Sequence, residues 1–216
     1  LALGTAVIAA VGSVGESLKS GVEHNAATLM GGDIELVRTD RNAGRDERAY
    51  FRSLGEVAYV VDTNARAGAG ANSAFLDIVA ADENYPLRGE VKSPQLAPGE
   101  KPADLLAYRD GAWGALVDPV LFDRLGIGLG GRFEVGDGEF EIRGALTSLP
   151  DGALRGYKLG LTTLISAEAL VSLGEMRAPL PGLLTQHRYK IVLDAMTSEQ
   201  ARAAIAEHLA DPAWVV

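Results

Sequence analysis

Gly126, Gly128 and Gly131 stand at the G-x-G-x-x-G spacing that cradles a pyrophosphate in dinucleotide-binding proteins. That chemistry needs the glycines to follow a strand and open a helix, so that the helix N-terminus meets the phosphates. Here the pattern runs helix first and strand second, which predicts a tight turn and no cofactor. Gly12-Ser13-Val14-Gly15 has the look of a nucleophile elbow. It departs from G-x-S-x-G and lies inside a helical stretch, where the elbow's strand-to-helix turn has no place. His24, His187 and His208 belong to different elements without a partner at ligand spacing, and predict surface or cap residues. Asp118 and Asp123 suggest paired carboxylates, but Asp118 before Pro119 reads better as a helix N-cap and Asp123 as a solvated side chain. No nucleophile, base and oxyanion hole come together. The expectation is therefore a chain that is not an enzyme, with no catalytic, metal-binding or cofactor-binding residues.

The elements that would position any site form two kinds of segment. Ile34 to Val37 is a short apolar strand, Asp46 to Leu54 a helix stopped by Gly55, and Val57 to Ala67 and Ser73 to Ala81 the arms of a hairpin around Gly68 to Asn72. Four prolines between Tyr85 and Asp104 mark a long connection. Asp118-Pro119 starts a short helix ending at Gly126. Asp137-Gly138 joins alternating strands, the strongest hairpin signal in the chain. Ser166 caps a further short helix stopped by Gly174. Arg188 to Leu193 then alternates as a strand, Thr197 and Gln200 stand at capping-box spacing, and Ala201, Ile205 and Leu209 form a helical stripe. Trp214 to Val216 is a final strand. The ends are alike and the middle differs. This predicts an α+β fold: a split ferredoxin-like βαβ-type sandwich from residues 31–83 and 187–216, with residues 84–186 inserted as a small, mostly β subdomain.

Residues 1–30 are of another kind. Leu1 to Val14 carry no charge, no Asn, Gln or His and no proline; the first ionisable side chain is Glu16. Val7, Val11, Val14, Leu18, Val22 and Leu29 lie along one helical stripe, with Glu16, Lys19, Glu23 and His24 off it. A bilayer-spanning helix needs about 20 apolar residues, so the run is short of one span. It reads as the end of a transmembrane helix that continues as a long N-terminal stalk helix and stops at Gly31-Gly32; a buried core helix is the alternative. Gly12 and Gly15 are either a hinge in that stalk or a close-packing face for another membrane helix.

Composition narrows the partners. The 216 residues carry a net charge of −9 and 47% apolar residues, with no basic stripe. Nucleic acid is disfavoured, because phosphate neutralisation supplies most of that affinity. Cysteine is absent, which removes thiolate metal sites and disulfides and suits an extracytoplasmic compartment.

Four stretches together resemble one family: Leu29-Met30-Gly31-Gly32-Asp33, the run Asn84 to Val91 (NYPLRGEV), the block Val117 to Val135, and Arg188-Tyr189-Lys190. They are similar to the periplasmic domain of FtsX-like, MacB-like ABC-transporter permeases, and nearest to the predicted permeases linked to lysophospholipase or arylesterase export. The resemblance implies a MacB-like mixed α/β core with a small β insertion, in the inner (cell) membrane with this domain on the extracytoplasmic side. It implies a non-catalytic role in transport, coupling cytoplasmic ATP hydrolysis to the handling of a periplasmic protein or lipid-linked cargo by mechanotransmission. ATP would sit on a separate ABC ATPase subunit, and the permease would act as a dimer held in the membrane through its N-terminal helix. A membrane-anchored envelope binding or adaptor module is the alternative. For partner contact the sequence offers Trp113 and the hairpin tip Asp137-Gly138, each with a plain structural reading beside it: burial for the tryptophan, an idle loop for the tip.

Overall fold

A long strand, β2 (Gly55–Ala69), organises the computed structural model, which describes residues 27–152, 155, 159–177, 185–209 and 211–216. Residues 55–62 of β2 pair with β9 (Gln186–Leu193), residues 60–69 with β3 (Asn72–Ala81), and residues 67–68 with β6 (Arg132–Val135). One strand thus belongs to two structures.

The first is an open, antiparallel sheet. β1 (Ile34–Arg38) pairs with β9, and β9 with β2. On the free side of β1, Val215 bridges Val37, again antiparallel. Helices α1 (Arg45–Leu54) and α4 (Ser198–His208) cover one face. Phe51 and Leu54 of α1 and Ala201 and Ile205 of α4 bury against Ile34, Leu36, Tyr189 and Ile191. The helix ends follow local rules. Glu47 reaches back to the Gly44 N–H at 2.6 Å, and Thr197 and Gln200 exchange hydrogen bonds at 3.2 and 3.0 Å as a capping box.

The second is a small closed barrel. Its order is β2, β3, β8 (Leu161–Ser166), β5 (Ala112–Val117), β7 (Gly138–Ala145), β6 and back to β2; β4 (Tyr108–Arg109) is appended to β5. Val61, Leu76, Val117, Phe133 and Phe140 fill it. Leu121 and Leu125 of α3 (Val120–Leu125) plug one end, and Ala169, Leu170 and Leu173 of a 3-10 segment (Ala167–Arg177) plug the other. A third layer lies on the outer face, where Tyr85, Val91, Leu106 of α2 (Ala103–Leu106), Leu146 and Leu149 cover Ala58, Val60, Val79 and Leu164.

Several expectations change. The insertion is not a separate sheet: β3, which the sequence places in the outer part, pairs on its far side with β8, so the nine strands among the described residues are continuous. β5 and β8 are strands that the sequence does not announce. β5 is buried at all positions but Trp113, and β8 buries Thr163, Leu164 and Ile165 in succession, so no alternation betrays them. The segment capped by Ser166 is 3-10 rather than α and kinks at Gly174. The glycine run does turn from helix to strand: Gly126 ends α3 in the left-handed conformation (φ +69°) and donates to the Phe122 carbonyl at 2.8 Å. The expected membrane segment, with Gly12 and Gly15, lies outside the described residues. Among the described residues no helix is long and apolar enough to cross a membrane. The helical turn 27–30 is described, and it docks on the sheet.

Candidate functional site

Strand parity builds the site. On β9, Tyr189 and Ile191 face the helices, so Arg188 and Lys190 face the other side. On β1, Ile34 and Leu36 take the helical side and leave Glu35 opposite. Asp62 continues the face of Ala58 and Val60 on β2. The connection from β7 to β8 lays Asp151 and Arg155 over these residues. Three carboxylates and three cations meet there.

Lys190 is fully buried; its Nζ donates to the Met30 carbonyl at 2.5 Å and lies 2.9 Å from both Glu35 Oε2 and Asp151 Oδ2. Arg155 grips both Asp151 oxygens, at 2.8 and 3.2 Å, and reaches Asp62. Arg188 donates to Glu35 at 2.5 Å, and its Nε sits 2.7 Å from Asp62, close in charge but off the N–H axis. Tyr85 donates to Asp151 at 2.8 Å. Burial opposes ionisation of Asp151, yet Arg155 and Lys190 hold its carboxyl at about 2. Burial and the Asp151 charge push the Tyr85 hydroxyl well above its usual range. Each charge in the set has an opposite partner in contact, so none is left as a free acid or base. An isolated buried charge costs several kcal/mol, so the set constrains geometry: no member can move alone.

What the cluster holds is the end of a helix. The Gly32 and Gly31 N–H groups donate to the Ala27 and Thr28 carbonyls at 3.1 and 3.3 Å, and Gly31 has φ +74°, a Schellman ending. Lys190 takes the carbonyl of Met30, the last residue of the turn, where a cation also suits the helix dipole. A Cβ on Gly89 (φ +74°) would stand 2.6 Å from Pro150 and 3.3 Å from the Thr28 carbonyl, so the two connections close on the helix end. Asp33 locks the exit: its N–H donates to Ile191, its carboxylate accepts the Leu193 N–H, its carbonyl accepts Ser198 Oγ, and Arg88 lies 3.5 Å from Oδ1. Helix end, open sheet and barrel connection thus share one contact set.

A second cluster fixes the far edge. Arg38, 2% exposed, contacts Asp40, Glu47 and Asp211, and its guanidinium lies 4.8 Å from the centre of the Trp214 ring. Trp214 Nε1 donates to Glu47 at 2.9 Å. The hydrogen bond from Arg41, against the effect of burial, holds the Glu47 carboxyl at about 2.

The residues that sequence offered for partner contact lie elsewhere. Asp137 is exposed, but Gly138 is buried; a Cβ there would come within 2.6 Å of Ser172 Oγ. The hairpin tip rests on the 3-10 segment and does not project freely. Trp113 is half-buried and packs edge-on against Tyr108 at 5.1 Å. It pairs with Phe140, two residues from Gly138, so all three belong to the same end of the barrel. Of the histidines, His187 bonds Tyr59 Oη at 2.7 Å and His208 stacks on Tyr50 at 3.7 Å. Among the described residues no three His, Asp or Glu side chains group as metal ligands. Sequence reasoning missed Glu35, Asp62, Asp151, Arg155, Arg188 and Lys190 as a group. One signal was present: Arg188 and Lys190 share a strand face, and two charges on one face of a buried strand require partners.

Three of the four stretches that carried the family resemblance, at residues 29–33, 84–91 and 188–190, converge on this junction. Comparison with known proteins points the same way. The chain is 25% identical over 192 residues to an uncharacterized ABC transporter permease of Escherichia coli, YbbP; that match covers 88% of this chain and 22% of the permease. The chain thus spans about a fifth of that relative's length. No family model matches. In structure it is similar to the periplasmic region of MacB from Actinobacillus actinomycetemcomitans, with a TM-score of 0.51 and 13% identity over 88% of this chain and 90% of that one. It is also similar to the extracellular domain of the ABC-type transporter YknZ from Gram-positive bacteria, with a TM-score of 0.49 and 12% identity over 84% and 97%. The fold is the mixed α/β fold of a MacB-like periplasmic domain.

Proposed function

We propose that this chain is the non-catalytic, extracytoplasmic domain of an ABC-transporter permease in the cell membrane. The similarity to YbbP along 88% of the chain carries this reading, and the shared fold with the MacB periplasmic region supports it. The order Val215, β1, β9, β2, with helices after β1 and after β9, supports a split ferredoxin-like core interrupted by the barrel. The chain enters β1 at Ile34, and Val215 pairs antiparallel beside it at Val37. Both therefore lead to the end of the sheet where residues 27–30 dock, as a loop domain between two membrane segments requires. The narrower assignment, to permeases linked to lysophospholipase or arylesterase export, rests on the four sequence stretches alone.

The domain's proposed task is mechanical. A cytoplasmic ATPase subunit binds ATP, the stalk helix moves, and the buried charge cluster passes that movement to the sheet and the barrel connection together. Protein or lipid-linked cargo then meets a changed surface, in a permease dimer.

Topology is the first test. Asp123 on α3 is exposed, and this sequence contains no cysteine. Asp123→Cys in the full-length protein, with any cysteine outside this sequence replaced, should react in intact cells with a maleimide that cannot cross the inner membrane. Reaction only after lysis would place the domain in the cytoplasm and end the transporter reading.

A further inference from the structure

On the opposite face of the sheet from the charge cluster, a pocket of about 170 Å³ opens beside α1. Phe51, Val57, Tyr59 and Tyr189 form its floor, and Arg48 and Arg52, one turn apart, stand on its rim. The nearby Arg38 and Arg41 are saturated by Asp40, Glu47 and Asp211. Arg48 and Arg52 have no ion-pair or hydrogen-bond partner for their side chains among the described residues. Two uncommitted guanidinium groups therefore border one aromatic pocket. Asp82 also lines it, but its carboxylate is already committed to the Tyr59 and Asn84 N–H groups, at 2.9 and 3.2 Å. The rim's net charge is +1, two arginines against one aspartate, which suits a monoanion better than a phosphate dianion. Size sets the body. An apolar cavity of about 150 Å³ holds one benzene ring, so this pocket holds one side chain.

The pocket is also one end of a longer groove. A neighbouring cavity of about 470 Å³ shares Arg52, Asp82 and Asn84 with it and is lined further on by Asp104 and Glu168. A ligand lying along the groove would place its negative end on α1 and any positive charge toward the acidic stretch.

We propose that this groove receives the C-terminus of a polypeptide. The terminal carboxylate pairs with Arg48 and Arg52, whose planar guanidinium groups match a carboxylate in charge and geometry. The last side chain, a single aliphatic or aromatic one, lies on the Tyr59 and Tyr189 floor. Basic residues upstream face Asp104 and Glu168. The inference stands apart from the transporter reading and depends on binding alone.

The test is fluorescence anisotropy on the full chain with an N-terminally labelled hexapeptide, Lys-Lys-Gly-Ser-Gly-Leu, against the same peptide with a C-terminal amide. The free carboxylate should bind at least tenfold more tightly than the amide. Arg48→Gln and Arg52→Gln should each weaken the carboxylate peptide about tenfold and leave the amide unchanged, with circular dichroism confirming an intact fold. Equal binding of the two peptides, binding of neither, or full affinity in both arginine variants would overturn the proposal. N-acetyl-leucine competing as strongly as the hexapeptide would overturn it too, by showing a free small acid to be the ligand.

Discussion

Replacing Lys190 by methionine tests whether the charge cluster holds the helix end. The substitution keeps most of the stem's volume and removes the charge. It leaves the Met30 carbonyl without its 2.5 Å donor and gives the buried set a net charge of −1. Removing one member of a buried pair costs roughly 3–5 kcal/mol. Here Asp151 keeps Arg155 and Glu35 keeps Arg188, so the lower end applies, about 3 kcal/mol. That is a large share of a typical stability of about 5–15 kcal/mol. Urea unfolding would measure it. Asp151→Asn in the same background completes a double-mutant cycle. The double variant is neutral again, so the two costs should fall short of additive by about 1–3 kcal/mol. A cost under about 1 kcal/mol for Lys190→Met, or strict additivity in the cycle, would refute the view that the cluster acts as one unit. The neutral double variant also separates folding from coupling. Under the proposed transporter role, the full-length protein carrying this double variant, together with the proposed ATPase subunit, should still hydrolyse ATP while losing transport output; unimpaired output would remove the cluster from the proposed coupling path.

Acid should loosen the same junction. Asp151, 2% exposed, has its carboxyl held at about 2 in the fold against 3.8 ordinarily. A lowered pKa stabilises the fold above the ordinary value, so about 2 kcal/mol is present above pH 4 and is lost as pH falls from about 4 to about 2. Asp151→Asn should flatten that part of the stability profile. Gly136→Ala should destabilise the barrel cap by several kcal/mol, because Gly136 has φ +58° and a Cβ would stand 2.1 Å from the Leu173 carbonyl; thermal unfolding would read it. Arg143→Ala should speed amide exchange across residues 103–112, since its guanidinium donates to the carbonyls of Leu105, Ala107 and Ala112 at 3.3, 2.5 and 3.3 Å. Protection confined to that stretch should fall while the rest of the sheet keeps its own.

The outer α/β elements were legible because each follows a local rule. α1 ends at Gly55, α4 starts at a Thr197–Gln200 box, β1 is a short apolar run, and the sequence alternates along Arg188 to Ile191 of β9. The hairpin between β6 and β7 was legible from Asp137-Gly138. The barrel was not. Its closure depends on Ala67 and Gly68 of β2 meeting Val135 and Glu134 of β6, a pairing across more than sixty residues with no local mark. In β5 apolar residues face both ways, and in β8 Thr163, Leu164 and Ile165 are buried in succession, which erases the period-two signal. The charge cluster was hidden for a related reason. Asp151 and Arg155 sit in a connection whose composition reads as a solvated loop, and only the register of β1, β9 and β2 brings Glu35, Lys190 and Asp62 beneath them.

Why a helix end should be held by charges, and not by a hydrophobic plug, follows from how each responds to displacement. Apolar contact weakens with area, at about 25 cal/mol per Å². A slide of one ångström exposes little area and costs about half a kcal/mol or less. An ion pair weakens with distance. Drawing Lys190 Nζ from 2.9 Å to about 4 Å from one carboxylate loses about 1.5 kcal/mol at an effective dielectric constant of about 20. Glu35 and Asp151 lie in different parts of the fold, so one movement of the helix end strains both contacts at once. The Met30 carbonyl transmits that movement to Lys190 directly. A junction of this kind is stiff over small displacements and responds within the first ångström, the behaviour that the proposed coupling role requires to pass a movement of the helix end into the sheet and the barrel together. It follows that replacing Glu35 and Lys190 together by Leu and Met should leave the domain folded, because the remaining charges stay balanced, Asp151 with Arg155 and Asp62 with Arg188, and buried ion pairs often exchange for apolar ones without loss. Under the proposed transporter role, the same variant should lose output at unchanged ATP hydrolysis. Retained output in that folded double variant would show that the junction serves stability alone.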